Sequence, residues 1–285
     1  MHISRSEAYE KLRANYDGYR FTAESTYYTE EDQELPIQRI YNPFSVLNAM
    51  ANSLIGSYWF ETGTPSYLVH LLQKHDYNLE EMSREKTTED VLNSIDAASN
   101  NPIPVIYQSG YLTIKGYDPR FRTYTLGFPN EEVEEGFTKY LMPCYIHRND
   151  AQSSFQIDNF VMDVEEGRTE QFIGRLRSLF ADTPYELVQN LENHYRNVVW
   201  LLFKLMGFYT QAEYHTSEGR IDLVVKTPKY CYVMEFKLDG TAEQALQQIQ
   251  DKNYTLPFEI DGQQIVRIGI NFDSRTRNID KCLVG

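Results

Sequence analysis

Asp222, Glu235 and Lys237 are the residues whose types and spacing could do chemistry. They lie in GRIDLVVKTPKYCYVMEFKLD, residues 219–239, which reads as two apolar strands joined by a tight turn yet carries these charges inside the apolar runs. Side chains alternate along a strand, so Glu235 and Lys237 share a face with Val233 and Cys231, while Tyr232, Met234, Phe236 and Leu238 occupy the other. Both faces are largely apolar, the pattern of a strand covered by helices on both sides. Ionised groups there carry a desolvation cost unless they are paired or bind something. With Pro228 and Lys229 as the central turn residues, Thr227 pairs with Tyr230, and the same register carries Asp222 opposite Glu235. The two carboxylates then emerge on one face with Cβ atoms ~4.5–5.5 Å apart. A slip of one residue would put them on opposite faces.

Two adjacent carboxylates repel, so the pair calls for a counter-charge: Lys237, a divalent cation, or both. Mg²⁺ prefers hard oxygen ligands and keeps several waters when only one or two carboxylates hold it, which leaves a shell open to phosphate. A cation held there can stabilise charge on phosphoryl oxygens and polarise a water that Lys237 is placed to orient or help deprotonate. Phosphodiester hydrolysis is the chemistry this geometry serves.

The elements that must position these residues follow from periodicity. YELVQNLENHYRNVVWLLFKLMGF carries an apolar stripe through Leu187, Leu191, Val198, Leu202 and Leu205 and stops at Gly207, as a helix does. Strands YTQAEYHT, RIDLVVK and YCYVMEFKLD follow, then a helical AEQALQQIQDKNY and a final strand QIVRIGINF. One helix, three strands, a helix and a strand make a compact α/β unit over residues 185–285.

Upstream, residues 1–146 read as mainly helical. Pro43 opens a helix running through Leu54; Thr62, Gly63, Thr64 and Pro65 form a turn and cap before another; a short helix covers Thr88 to Ser99 and NPIP breaks it. YLTIKGYDPRFRTYTLGFPN reads as a hairpin turning at Tyr117-Asp118-Pro119, a winged-helix-like arrangement with the helices before it. A helix over Glu131 to Ile146 ends this part, and a polar linker HRNDAQSSFQ with an amphipathic EEGRTEQFIGRLRSLFAD forms the connection, residues 147–184.

GRID, the spacing of 13 to Glu235, then EFK, the helix with Gln248, and Tyr254 together resemble the PD-(D/E)xK nuclease superfamily. The likeness is closest to the C-terminal nuclease-like domain of bacterial AAA-ATPase-like proteins. It implies a restriction-endonuclease-like mixed sheet flanked by helices, with Asp222, Glu235 and the carbonyl of Phe236 holding Mg²⁺ or Mn²⁺. It further implies Asp222, Glu235, Lys237 and Gln248 as catalytic residues, Glu192 and Tyr254 as accessories, and DNA as substrate. YDGYRF, YNPFSVLN, YWFETGTPSYLV and IYQSGYLTI are similar to the segment after the ATPase core of such proteins, and Gly63-Thr64-Pro65 to their lid. Nothing reads GxxxxGK[ST], so ATP hydrolysis by this chain alone is not expected, and the chain reads as a C-terminal portion of a longer protein or a natural short form.

The net charge of −14 argues against a generic polyanion-binding surface. Residues 186–285, however, hold 11 Lys and Arg against 13 Asp and Glu, a net of −2, so the acidity belongs to the first part. With no apolar run near the ~20 residues of a membrane span, no apolar signal-peptide core and three widely spaced cysteines, a cytoplasmic chain without a membrane partner is expected. Two other readings fit the sequence: a nuclease fold used as a non-catalytic scaffold, with the N-terminal region docking on an ATPase or other protein, and a winged-helix DNA binder.

Overall fold

The computed structural model describes residues 4–20, 22, 26–28, 34–36, 39–62, 66–94, 101–146, 157–181, 191–207, 209–216 and 219–285. The chain divides into two compact units, Met1–Tyr140 and Leu141–Gly285. The turn read at Gly63 to Pro65, the linker read at 147–156 and the stretch around Leu187 lie outside the described residues.

The first unit is helical with small antiparallel sheets. α1 (Arg5–Tyr16) is capped by Ser4, and β1 (Thr26–Tyr28) pairs with β2 (Glu34–Pro36). α2 (Pro43–Asn52) starts where Asn42 accepts the Ser45 N–H and ends at Ser53, whose left-handed φ of 52° stops it short of Leu54. α3 (Ser66–Lys74), β3 (Lys86–Thr88), α4 (Glu89–Asn93), α5 (Ile103–Gln108), β4 (Thr113–Asp118), β5 (Thr123–Gly127) and α6 (Glu131–Ile146) follow. The segment NPIP opens α5 rather than merely ending a helix: Asn101 Oδ1 accepts the Ile103 N–H at 3.0 Å, and proline is tolerated in a first turn. The hairpin also turns later than its sequence suggests. β4 runs through Asp118, whose carboxylate accepts the N–H groups of Arg120 and Phe121, and the chain reverses over residues 119–122. β3 adds to the hairpin, giving the order β3-β5-β4. Tyr16, Tyr19, Tyr58 and Tyr111 are buried, so much of the tyrosine enrichment is core.

The second unit contains α7 (Ile157–Glu165), α8 (Thr169–Ala181), α9 (Leu191–Leu205), β6 (Tyr209–Thr216), β7 (Gly219–Lys226), β8 (Tyr230–Leu238), α10 (Ala242–Asp251), β9 (Gln264–Asp273) and β10 (Asn278–Val284). The amphipathic segment beginning at Glu165 is thus the end of one helix and the whole of the next. Asp163, 1% exposed, joins them by accepting from Arg168 Nε at 3.0 Å and Arg175 Nε at 2.6 Å. The sheet has the order β10-β9-β8-β7-β6. Among its described strands only β8 and β9 pair in parallel, and α10 lies in the connection between them.

Helices cover both faces of β8, as its two apolar faces require. On one face Cys231 and Val233 cluster with Ile249 of α10 and with Tyr254 and Phe258 after it. On the other, Tyr232 Oη donates to the Val164 carbonyl of α7 at 2.7 Å, and Phe236 meets Phe272, which stacks on Tyr195 of α9 at 4.2 Å. β10 is an edge strand that the sequence reading did not find. Its sequence NIDKCLV places Asp280 and Lys281 together in mid-strand, and a register shift between Ile279 and Lys281 interrupts the alternation that would have revealed it.

Candidate active site

The β7–β8 turn sets the site. Thr227 N donates to the Tyr230 carbonyl at 2.8 Å and Tyr230 N to Thr227 Oγ1 at 2.9 Å, closing a turn with Pro228 and Lys229 at its centre. The ladder then pairs Lys226 with Cys231, Val225 with Tyr232, Val224 with Val233 and Leu223 with Met234. The paired ladder ends at Leu223 and Met234; Asp222 and Glu235 are the next residue on each strand, close enough for their charges to interact. The Phe236 N–H donates to Asp222 Oδ2 at 2.8 Å and ties the two strands there.

Around Glu235 the polar contacts converge. Its Oε1 accepts from Lys237 Nζ at 3.0 Å and from Gln248 Nε2. Lys237 Nζ also donates to Gln248 Oε1 at 2.7 Å, and Gln248 Nε2 lies 3.3 Å from the hydroxyl of buried Tyr254. Glu235 Oε2 is buried and accepts no hydrogen bond. Gln248 reaches the strand because α10 is fixed at its start by a Thr241–Gln244 capping box and seats Ala242, Ala245 and Ile249 in the core. Glycine at 269, the parallel partner of Glu235, admits the helix: a Cβ there would lie 2.4 Å from the Ala242 carbonyl oxygen and 2.7 Å from Leu246 N.

Of the residues singled out from sequence, Asp222, Glu235, Lys237, Gln248 and Tyr254 come together directly. Phe236 contributes its amide to Asp222. Glu192, on the first turn of α9, is exposed and is linked to the cluster by Arg196, which donates to Glu192 Oε1 at 3.1 Å and lies 3.7 Å from Asp222 Oδ1; the Glu192 charge also acts on Asp222. Sequence reasoning passed over Arg196. The available signal was its position four residues after Glu192 on a helix, but that spacing is common in solvated surface pairs.

Burial and mutual repulsion dominate the electrostatics. Desolvation, then the neighbouring Asp222 charge, push the Glu235 carboxyl up to about 7 against the opposing pull of Lys237. Burial also raises Asp222, opposed by the Phe236 N–H, Arg196 and Lys237. Because the folded protein holds the Glu235 proton more tightly than the unfolded chain, this group favours folding fully below about pH 4.5. That contribution is lost as pH rises through about 7. In EDTA, Glu235→Gln is therefore expected to gain stability over the wild type on going from pH 5 to pH 8, by on the order of 1–3 kcal/mol. Urea midpoints of both proteins at the two pH values measure it; a difference independent of pH would show that Glu235 ionises normally.

One family model matches the part of the chain that carries this arrangement. Residues 190–282 match the PD-(D/E)XK nuclease superfamily. A relative, described as an uncharacterized protein in the vnfD 5' region of Azotobacter chroococcum mcd 1, is 29% identical over 285 residues, covering 95% of this chain and 51% of its own length. The chain therefore spans about half the length of the curated relative it matches. No solved structure matches the chain.

PD-(D/E)XK superfamily domains are typically metal-dependent. The donor set here suits a hard divalent cation: both carboxylates are raised by burial, and Glu235 keeps one buried oxygen without a hydrogen-bond donor. Among the described residues no group of three or more His, Cys, Asp or Glu side chains could hold a metal ion. A cation on this pair would keep water or backbone oxygen in its remaining positions. Among the described residues no helix is long and apolar enough to cross a membrane.

Proposed function

We propose that residues 185–285 form a metal-dependent nuclease domain that hydrolyses DNA phosphodiester bonds, with Mg²⁺ or Mn²⁺ held by Asp222, Glu235 and the Phe236 carbonyl. The observation that carries this reading is the buried Glu235 carboxylate beside the Asp222 charge, with one oxygen unengaged, inside a segment matching a nuclease superfamily. A bound cation supplies charge stabilisation at phosphoryl oxygens and a more acidic water. The protein's own part is positional. Lys237, held between Glu235 and Gln248, orients the attacking water; Gln248 fixes Lys237, and Tyr254 fixes Gln248. Glu192 acts at one remove, through Arg196.

In this reading residues 1–146 are a helical, winged-helix-like domain that meets an ATPase module or other protein partner, and 147–184 connect it to the nuclease domain. The chain corresponds to the C-terminal portion of an AAA-ATPase-like protein of the cytoplasm. The relative's greater length agrees with a larger parent architecture.

One observation favours a second reading: only two carboxylates converge among the described residues, as suits a nuclease fold used as a scaffold. The full chain incubated with labelled duplex DNA in Mg²⁺, Mn²⁺ or EDTA separates the two. Cleavage that needs the cation and is blocked by EDTA is expected. An intact duplex in all three buffers would favour the scaffold, and cleavage confined to a parallel RNA substrate would correct the substrate class.

A further inference from the structure

Arg196 projects from α9 toward Asp222, and the chemistry above uses it only as the link from Glu192. Its helix is well anchored, with Tyr195, Val198, Val199 and Leu202 buried, so the side chain leaves from a rigid support. The Arg196 side chain is 20% exposed, and its guanidinium lies between Asp222, 14% exposed, and Glu192, 58% exposed. It thus sits between a mostly buried carboxylate and an exposed one. Its approach to Asp222, at 3.7 Å, is an ion pair longer than a hydrogen bond. The other cation at the pair, Lys237, is engaged by Glu235 and Gln248.

A guanidinium presents a planar fork of donors that matches two phosphate oxygens, and its charge persists at any working pH. A divalent cation held by Asp222 would share that carboxylate with Arg196, and like charges at such separations repel. Resting on the nuclease reading, we propose that Arg196 is a substrate-binding residue whose guanidinium serves as the counter-charge of Asp222 in the metal-free protein. When Asp222 turns to a cation, Arg196 is exchanged onto a non-bridging oxygen of the scissile phosphodiester. Glu192 holds the side chain at the site's mouth in both states.

The proposal predicts effects of opposite sign on cation and substrate. Removing Arg196 removes a charge that competes with the cation, so Arg196→Ala is expected to bind Mn²⁺ about tenfold more tightly than the wild type. The same variant loses a charge-assisted contact to phosphate, so its KM for duplex DNA at saturating Mn²⁺ is expected to rise at least about tenfold, with a smaller change in kcat. A residue that merely braced Asp222 would weaken both. Arg196→Lys keeps the charge without the fork; it is expected to retain wild-type Mn²⁺ affinity and recover only part of the KM loss.

The experiment is Mn²⁺ calorimetry on the full-length wild type, Arg196→Ala and Arg196→Lys without nucleic acid, followed by cleavage kinetics on a labelled duplex. Tighter Mn²⁺ binding with raised KM in the alanine variant supports the exchange. Weaker Mn²⁺ binding or an unchanged KM overturns it. Should the alanine variant not fold, the lysine variant decides: a wild-type KM overturns the proposal, and a raised KM with unchanged Mn²⁺ affinity supports it. A wild type that neither binds Mn²⁺ nor cleaves removes the nuclease reading and this inference together, whereas failure confined to the Arg196 variants removes the inference alone.

Discussion

Asp222→Asn is expected to leave the fold intact and lower cation-dependent cleavage by about a thousandfold or more. The amide is close in shape to the carboxylate, and its oxygen can still accept the Phe236 N–H that ties β7 to β8. What it lacks is charge: a pair that held a divalent cation with two carboxylates would hold it with one. Removing a ligand whose charge supports transition-state stabilisation costs several kcal/mol in the barrier. In metal-free buffer the same change relieves repulsion on Glu235, whose raised carboxyl owes part of its shift to Asp222. The variant is therefore expected to match or exceed wild-type stability in EDTA at pH 8 while losing cleavage. Urea unfolding beside duplex-cleavage rates measures both. Retained cleavage would place the reaction elsewhere in the molecule.

Gly269→Ala is expected to be the most damaging small change in the second unit, costing about 3 kcal/mol and disabling the site as well. The added methyl would meet the Ala242 carbonyl and Leu246 N at 2.4 and 2.7 Å, both backbone atoms of α10, so no side-chain rotation can relieve the overlap. The helix must lift from the sheet. Because α10 carries Gln248, lifting it withdraws the group that bridges Lys237 and Glu235. Gly174 of α8 offers the contrast: a Cβ there meets nothing within 4 Å. Gly174→Ala should gain up to roughly 1 kcal/mol from reduced chain entropy and leave cleavage unchanged. Thermal unfolding of the two variants, with cleavage measured well below both midpoints, checks the pair. Equal stabilities would mean that α10 does not approach β9 so closely.

The part of the site that lies on one hairpin was legible because two independent constraints agreed. The turn residues fixed which positions pair, and the alternation of apolar side chains fixed which face each charge occupies. Only one register satisfies both, and the ladder keeps it from Lys226 and Cys231 to Leu223 and Met234, the residues just before Asp222 and Glu235. Gln248 and Tyr254 came from likeness to a family, since the rotation of a helix over a sheet depends on packing such as that at Gly269. Arg196 was missed because its i,i+4 pairing with Glu192 looks the same whether the helix faces solvent or a site.

In the fold, α6 was read with its observed limits and the principal strands of the second unit were found, since each has a clear period. α7 and β10 were missed for opposite reasons. α7 follows a polar stretch that masks its start, whereas β10 is an edge strand with polar residues and a register shift. At NPIP and at Asp118 the decisive interactions are side chain to backbone, so proline and glycine punctuation alone located the breaks without fixing what followed.

The central claim is that Asp222 and Glu235 together hold a divalent cation for phosphodiester hydrolysis. Calorimetric titration of Mn²⁺ into the wild type and Asp222→Ala, with plasmid cleavage assayed in the same buffer, tests it most directly. The account predicts saturable Mn²⁺ binding and cation-dependent cleavage by the wild type, both lost in the variant. A folded wild type that neither binds Mn²⁺ nor cleaves, or a variant that does both as well as the wild type, would contradict it.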